Sequence, residues 1–160
     1  MKRKNKIIEL VIYDFDGVMT DNRVLLFEDG KEAVFVNRSD GLAVKAIRDM
    51  GIAQVIVSTE TSPVVRARAK KLSIPCRQSV GDKKKVVEKY LSQKKLCRQN
   101  VIFVGNDLND KEVMEFVGWP AAPADAHREI KKMAKIVLST KGGSGVVREL
   151  LDKLKDIIDE

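Results

Sequence analysis

Ile7-Ile8-Glu9-Leu10-Val11-Ile12-Tyr13, stopped by Asp14, is the stretch of sequence that decides the fold. A nearly continuous apolar run of this length is typical of a parallel strand that is buried on both faces of a sheet. Comparable runs recur at residues 52–57, 100–104 and, more weakly, 134–138. Helical patterns occupy residues 42–50, 62–72, 83–94, 110–117 and 145–158. This alternation predicts an α/β fold, a doubly wound parallel sheet with helices on both faces.

One segment interrupts the alternation directly after the first strand. Residues 23–28 and 31–36 both have β character, and Asp29-Gly30 lies between them. An Asp-Gly pair between two such runs is a strong signal for a β-hairpin. Open α/β sheets bind ligands at the carboxyl ends of their strands, so we expect the inserted hairpin to flank a binding site there.

The length and composition predict one domain that comprises residues 1–160. Of the 160 residues 44% are apolar, which is enough to form a full core. No apolar run approaches the roughly 18 residues of a membrane span, and the basic amino end leads into a stretch that Glu9 interrupts. We therefore expect a cytoplasmic protein with no membrane association, whose Lys-rich amino end is a solvated tail.

The charge of the chain suits an anionic partner. There are 30 Lys and Arg residues against 23 Asp and Glu, a net charge of +7. Only 5% of the residues are aromatic, and the basic residues are spread over several segments without interleaved stacking side chains. We therefore expect a small anionic substrate and no nucleic acid.

Polar side chains cluster where the predicted strands end. Oxygen-bearing side chains follow three strands: Asp14 and Asp16, then Ser58 and Thr59, then Asn106, Asp107 and Asp110. A helix cap or a turn explains any one of these aspartates but not three clusters together. With one His and two Cys residues that form no Cys-x-x-Cys pattern, a zinc site is not expected. The oxygens instead suit Mg²⁺, which prefers an octahedral oxygen shell.

Lys83 differs from its neighbours Lys84 and Lys85 in the direction that helical geometry gives it. At 100° per residue, Val86, Val87, Tyr90 and Leu91 form an apolar stripe centred near Lys83. Lys84 lies about a quarter-turn from this stripe, and Lys85 points to the opposite side. We therefore expect Lys83 to face inward, as the partner of a phosphate or a carboxylate, rather than to belong to a solvated helix start.

Together these residues resemble a known family. Residues 14–21, Ser58, Lys83 and residues 105–110 are similar, in order and spacing, to the four motifs of haloacid dehalogenase superfamily phosphatases. More narrowly, the hairpin and residues 37–41, 123–126 and 142–149 resemble the small capless group that dephosphorylates 3-deoxy-2-ulosonic acid phosphates. That group includes 3-deoxy-octulosonate 8-phosphate phosphatases, nonulosonate 9-phosphate phosphatases and the phosphatase-like domain of some CMP-sialate synthetases.

The resemblance implies a phosphatase mechanism with an aspartyl-phosphate intermediate. Asp14 would attack phosphorus as the nucleophile, and Asp16 would protonate the leaving oxygen and then deprotonate water. Ser58 would hydrogen-bond a phosphoryl oxygen, and Lys83 would neutralise Asp14 and the transferring group.

The resemblance also implies a Mg²⁺ cofactor. Its ligands would be a carboxylate oxygen of Asp14, the main-chain carbonyl of Asp16 and the side chain of Asn106, with Asp107 and Asp110 supporting the metal shell. Asn106 departs from the family, which usually has Asp at this place. Because an amide oxygen carries no full charge, a lower metal affinity is expected.

The implied substrate is an acid sugar phosphate. Where the octulosonate enzymes have Thr-Gly-Arg, this chain has Ser58-Thr59-Glu60, which is more similar to the nonulosonate 9-phosphate group. Glu60 would accept hydrogen bonds from sugar hydroxyls, and Arg68 and Lys71 would either meet the substrate carboxylate or form an exposed basic face. The predicted substrate-binding residues are Thr59, Glu60, Arg68, Lys71, Asp110 and Arg148.

The capless relatives are typically homotetramers, which implies the same here. The hairpin at 23–36 would form the central contacts, and residues 142–149 would reach a neighbouring subunit's pocket or merely end a loop before the last helix. Two alternatives stay open. One is a weakly active or inactive oligomerisation domain associated with a CMP-sialate synthetase. The other, a response-regulator receiver, is disfavoured by the Asp14-x-Asp16 pair and by the hairpin.

Overall fold

A six-stranded parallel sheet forms the centre of the computed structural model, which describes residues 8–159. Its strands are β1 (Leu10–Tyr13), β4 (Ala53–Val57), β5 (Cys76–Arg77), β6 (Val101–Val104), β7 (Trp119–Ala122) and β8 (Ile136–Val137). Their order across the sheet is β5-β4-β1-β6-β7-β8, so the first strand is central. The expected basic tail and Ile7 lie outside the described residues.

Six helices cover the two faces of the sheet. They are α1 (Arg38–Asp49), α2 (Pro63–Leu72), α3 (Lys83–Lys94), α4 (Lys111–Phe116), α5 (Arg128–Met133) and α6 (Val146–Asp159). Helices α1, α2 and α6 pack with Val11 and Tyr13 of β1 on one face. Helices α3, α4 and α5 pack with Leu10 and Ile12 on the other. The central strand is therefore buried on both faces, and the predicted doubly wound α/β fold is confirmed.

The predicted hairpin is present but shorter than expected. Strands β2 (Leu25–Leu26) and β3 (Glu32–Ala33) pair antiparallel. Gly30 closes the turn with φ of 83°, a left-handed value that glycine adopts without strain. Many of the hairpin side chains are exposed, because the hairpin stands off the main sheet as a separate two-stranded sheet.

Three elements were not predicted. Strand β5 has two residues, too few for a periodic pattern, and α5 has six. Strand β7 contains Pro120, which argues against a strand in an inner position because it donates no ladder hydrogen bond. Helix α1 also begins four residues earlier than expected, because Asn37 caps it by accepting a hydrogen bond from the main-chain N–H of Ser39. Across residues 8–159, no helix combines the length and the apolarity needed to cross a membrane.

Candidate active site

Three neighbouring strands end side by side at one edge of the sheet. The last residue of β1 is in register with Ile56 of β4 and Val104 of β6. Because these strands are parallel, the residues that follow them, Asp14, Ser58 and Asn106, come to the same edge. All three side chains are buried.

Lys83 lies at the amino end of α3 and points into this edge. Its side chain is buried, with Nζ 2.9 Å from Oδ1 of Asp14 and 2.6 Å from Oδ1 of Asp110. Burial lowers the pKa of the Lys83 ammonium, but the two carboxylates more than offset this and raise it above its ordinary value. Lys84 is only partly buried and Lys85 is exposed, as the apolar stripe of α3 predicts.

One oxygen of the Asp14 carboxyl, Oδ1, is held in place by two donors. Its Oδ1 accepts a hydrogen bond from the main-chain N–H of Phe15 at 2.8 Å, in addition to its contact with Lys83. Burial raises the pKa of Asp14, the charge of Asp110 raises it further, and Lys83 opposes both effects. The pKa of Asp14 remains raised, at about 7, so Lys83 limits the rise towards the protonated form without cancelling it.

Asp110 is fully buried, which corrects the expectation that it contacts a substrate. Its Oδ1 accepts from Lys83, and its Oδ2 accepts from the main-chain N–H of Asn106 at 2.9 Å. Both oxygens are thus committed to the protein. Asp110 positions Lys83 and the loop that carries Asn106.

Asp16 lies at the exposed side of the site, with its carboxyl half-buried. Burial raises the pKa of Asp16, and the negative charges of Glu60 and Glu32 raise it further. The hydroxyl of Thr20 donates to Oδ1 of Asp16 at 3.4 Å and opposes the rise. A carboxyl with a raised pKa keeps its proton to a higher pH than usual, which suits general acid catalysis.

Two residues of this group, Thr20 and Glu32, received no role from the sequence. Thr20 is fully buried, and its Oγ1 also accepts from the main-chain N–H of Gly17. Its place in the Asp-x-Asp-Gly-x-x-Thr motif was an available signal. Glu32 belongs to the hairpin, and nothing local in the sequence points to its proximity to Asp16.

Three oxygen-bearing groups converge into an arrangement that fits a divalent cation. The inner atom of the Asn106 amide lies 3.0 Å from Oδ2 of Asp14 and 3.1 Å from the main-chain oxygen of Asp16. Adjacent oxygen ligands of an octahedral Mg²⁺ ion lie about 2.9 Å apart, given metal–oxygen distances of about 2.1 Å. Gly17 makes room for this arrangement, because a Cβ there would collide with the Asn106 amide. Among residues 8–159 no cluster of three His, Cys, Asp or Glu side chains suits a metal, and this set uses a single carboxylate.

Asp107, expected among the metal ligands, is placed differently by the structure. It is exposed, and its Oδ1 accepts from the main-chain N–H of Leu108 at 2.7 Å. This hydrogen bond caps the 3-10 turn Leu108–Asp110. The side chain is therefore engaged in starting that turn.

A cleft of about 620 Å³ opens between the hairpin turn and the amino end of α2. Residues 29–32 line one side and residues 60–64 line the other, so Glu32 and Glu60 both belong to it. Ser58 is buried at the end of β4, and its Oγ accepts from the main-chain N–H of Glu60 at 3.1 Å. Thr59 and Glu60 are exposed at the carboxyl end of β4, where the sequence analysis expected substrate contacts.

The predicted basic substrate-binding residues lie elsewhere. Arg68 is partly buried and donates from Nη2 to the main-chain oxygen of Asn37 at 2.9 Å. Lys71 and Arg148 are exposed. Within the described part of the chain, the residues lining the cleft include none of these three cations.

Residues 142–149 begin by packing within the same chain, and their expected reach to a neighbouring subunit stays a prediction. Gly142 is buried against the main chain of Gly17, where a Cβ would collide. The N–H of Gly143 donates to the main-chain oxygen of Val18 at 3.0 Å, and that of Gly142 donates to Oδ1 of Asp125 at 2.9 Å. The two glycines thus pack on the loop that carries Asp16, within the same chain, and lead into α6.

The sequence of the chain matches a known protein family and individual relatives. The model of the haloacid dehalogenase-like hydrolases matches residues 65–150. The 3-deoxy-D-manno-octulosonate 8-phosphate phosphatase of Escherichia coli K12 is 33% identical over 94% of this chain and 81% of its own length. The chain belongs to the haloacid dehalogenase-like hydrolases. A second relative, the N-acylneuraminate cytidylyltransferase A of Danio rerio, is 27% identical over 96% of the chain, which spans only 36% of that longer protein.

Solved structures of haloacid dehalogenase-like hydrolases share the fold almost completely. A family hydrolase from Streptomyces avermitilis is 40% identical, with a TM-score of 0.90 over 94% of this chain and 92% of that one. The cobalt-bound deoxy-D-mannose-octulosonate 8-phosphate phosphatase of Haemophilus influenzae is 28% identical, with a TM-score of 0.91 over 98% and 92% of the two chains. The chain is a phosphatase of this fold, with an inserted hairpin and no cap domain among its described residues.

Proposed function

We propose that this phosphatase hydrolyses the phosphate monoester of a 3-deoxy-2-ulosonic acid, with a nonulosonate 9-phosphate as first choice and 3-deoxy-octulosonate 8-phosphate as second. The octulosonate phosphatase relatives support the class of acid sugar phosphates. Glu60 supports the nine-carbon choice, because its carboxylate lines the cleft beside Asp16 and suits the hydroxyls of a longer polyol chain. The observation that carries the proposal is that Lys83 contacts Asp14 at the sheet edge, while Asp16 lies close enough to Glu32 and Glu60, which line the cleft, for their charges to raise its pKa.

The reaction proceeds in two balanced steps. In the first, a carboxylate oxygen of Asp14 forms a bond to phosphorus while the bond to the sugar oxygen breaks, and Asp16 gives its proton to that oxygen. In the second, water attacks phosphorus, Asp16 takes its proton, and the acyl phosphate at Asp14 breaks. The raised pKa of Asp16 suits the first step, and its return to the protonated form completes the cycle.

The remaining groups of the site stabilise charge. Ser58 follows β4, the strand paired with the one that Asp14 follows, and donates to a phosphoryl oxygen, while Lys83 balances the charge of Asp14 during transfer. A divalent cation held by Asp14, Asp16 and Asn106, which we propose is Mg²⁺, supplies further shielding between the nucleophile and the phosphate. The relative from Haemophilus influenzae, solved with cobalt, supports the use of a divalent cation.

The substrate is tested by comparing phosphate release in Mg²⁺ from nonulosonate 9-phosphate, 3-deoxy-octulosonate 8-phosphate and p-nitrophenyl phosphate. The proposal expects the highest kcat/KM for the nine-carbon substrate. Glu60→Gln should reduce kcat/KM for this substrate more than for p-nitrophenyl phosphate, which has no hydroxyls for Glu60 to bind. Equal effects of Glu60→Gln on both esters would contradict the role of Glu60, and a higher kcat/KM for the eight-carbon substrate would reverse the choice.

Asn106→Asp is expected to lower the Mg²⁺ concentration for half-maximal activity by about tenfold, which corresponds to roughly 1.4 kcal/mol. The reason is that it adds a negative charge beside a divalent cation, at a position that points at Asp14 and Asp16. Calorimetric titration with Mg²⁺ measures the same change. Asp107→Asn is the control and should leave the metal requirement unchanged, since Asp107 caps a turn. If only Asp107→Asn weakens metal binding, Asp107 is the ligand.

Two observations support a second candidate function, a weakly active or inactive oligomerisation domain associated with a CMP-sialate synthetase. The chain matches part of an N-acylneuraminate cytidylyltransferase, and Asn106 stands where a carboxylate would bind metal more tightly. Steady Mg²⁺-dependent turnover of p-nitrophenyl phosphate would exclude this candidate. Under the first proposal, residues 1–160 form one catalytic domain.

The hairpin supports a homotetramer as the working form. The hairpin carries several large apolar side chains that are exposed to solvent in a monomer. Those at least half exposed are Val24, Leu25, Leu26, Phe27 and Phe35. An apolar patch of this kind on a small protein marks an interaction surface. We propose that a second copy of the chain covers this apolar patch. Its binding would also narrow the open cleft beside the hairpin.

Leu26→Asp is expected to break the assembly into monomers and to lower kcat/KM, because it puts a charge in the middle of the apolar hairpin surface. Sedimentation velocity and phosphate release, measured on the same sample, report both effects. Val137→Asp is a matched control, since Val137 is similarly exposed on β8 at the far edge of the sheet. A wild-type monomer with full turnover would refute the proposal.

A further inference from the structure

We propose that Asn106 is a two-state side chain: its amide nitrogen closes the cation site when no cation is bound, and its amide oxygen turns inward when one binds. This inference rests on the proposed use of a divalent cation at Asp14, Asp16 and Asn106. It assigns a second role to Asn106 besides that of a neutral metal ligand.

Two oxygen atoms face the inner end of the Asn106 amide. The inner atom of the Asn106 amide lies 3.0 Å from Oδ2 of Asp14 and 3.1 Å from the main-chain oxygen of Asp16. Both neighbours accept hydrogen bonds, and neither donates them when Asp14 is ionised. An oxygen between them needs a cation, whereas an N–H₂ group satisfies both directly.

One orientation of the Asn106 amide satisfies both of its ends together. With nitrogen inward, it donates to Asp14 and to Asp16, while the outer end of the amide faces hydrogen-bond donors, which suits an oxygen. A half-turn of the amide plane exchanges the two ends and leaves the backbone in place. The missing Cβ at Gly17 provides the space in which the outer atom lies.

A carboxylate at position 106 would behave differently from the amide. An ionised carboxylate has no hydrogen to donate. The side chain introduced by Asn106→Asp would therefore be repelled by two other oxygens until a cation was bound between them. Asn106 holds the loops after β1 and β6 together in both conditions. It does so at the expense of metal affinity, since a cation must displace two hydrogen bonds, one of them to a charged group.

Thermal unfolding of the whole chain tests this without reference to activity. In a chelator, Asn106→Asp should melt roughly 5 °C below wild type, and saturating Mg²⁺ should raise its melting temperature more than that of wild type. Asn109→Asp, an exposed position three residues further on, is the matched control and should behave as wild type in both conditions. Equal melting of wild type and Asn106→Asp in chelator would overturn the proposal.

Nuclear magnetic resonance of ¹⁵N-labelled protein observes the amide directly. The side-chain N–H₂ signals of Asn106 are those present in the wild-type spectrum and missing from that of Asn106→Asp. In chelator, the hydrogens of this group should exchange slowly with water. Addition of Mg²⁺ should shift the signals. If Mg²⁺ supports phosphate release while these signals stay unchanged, the two-state amide is wrong and the phosphatase stands. If the signals respond but p-nitrophenyl phosphate is not hydrolysed, the proposed function fails and the amide switch stands. No response of signals or melting to Mg²⁺ refutes the switch.

Discussion

Asp14→Asn is expected to lower turnover of a phosphate monoester by about 10⁴-fold or more. An amide cannot replace the carboxylate as nucleophile, since it does not form an acyl phosphate. The fold should survive, because an amide oxygen still accepts from Phe15 N–H and from Lys83, the two groups that hold Oδ1. Phosphate release measures the effect, and mass spectrometry after acid quenching should detect covalent phosphate on wild type but not on the variant.

Two further variants provide a control for Asp14→Asn and a test of the acid role of Asp16. Asp152→Asn makes the same chemical change at an exposed position on α6 and should turn over like wild type. Asp16→Asn should lose about 10²- to 10⁴-fold with a sugar phosphate and much less with p-nitrophenyl phosphate, whose leaving group departs without a proton. Substantial turnover by purified Asp14→Asn would refute the mechanism, and an equal loss by Asp16→Asn on both esters would remove the acid role of Asp16.

Lys83→Ala is expected to lose about 10²- to 10³-fold in kcat and to unfold at a markedly lower temperature. The loss in kcat follows from removing the cation that balances Asp14 and the transferring phosphoryl group. The loss in stability follows because Asp14 and Asp110 would remain buried without their shared cation, a change that costs about 3–5 kcal/mol in comparable buried pairs. Kinetics and thermal unfolding measure the two effects.

Lys84→Ala is the matched control, one residue along the same helix and only partly buried. It should retain nearly all activity and stability, so a reversed ranking of the two lysines would place the wrong lysine in the site. If Lys83→Ala does not fold, Lys83→Met combined with Asp110→Asn removes one of the two carboxylate charges that the loss of the cation leaves unpaired. That double variant should fold better than Lys83→Ala and remain inactive, and recovery of activity would show that Lys83 is only structural.

Lys83 and Asn106 lie at different parts of the same site. Lys83 offsets the negative charge that Asp14 and Asp110 concentrate below the sheet edge. On the other side, the inner atom of the Asn106 amide lies 3.0 Å from Oδ2 of Asp14 and 3.1 Å from the main-chain oxygen of Asp16, and the proposed inward nitrogen would link the two. Under the proposal the nucleophile would be held through both of its oxygens, which would keep its orientation fixed before substrate arrives.

The comparison of sequence and structure separates two kinds of information. Local periodicity was enough for the central strand β1, for the direction of Lys83 and for the hairpin turn at Asp29-Gly30, because each depends on neighbours within a few residues. The same reasoning placed Asp14, Ser58 and Asn106 at one edge, since parallel strands end together. The short strand β5 and the Pro-containing β7 were missed, because they are strands only by pairing with β4 and β6.

The sequence by itself thus determined the alternating α/β architecture, the acidic clusters at the strand ends and the inward lysine. Only the tertiary structure decided that Asp110 is bound by Lys83, 27 residues away, and is not free for a substrate. It also decided that Asp107 caps a turn and that Gly142 packs against Gly17. The physical reason is range: periodicity fixes which face of an element is buried, whereas the partner of a buried polar group depends on which distant loops the completed sheet brings within hydrogen-bond distance.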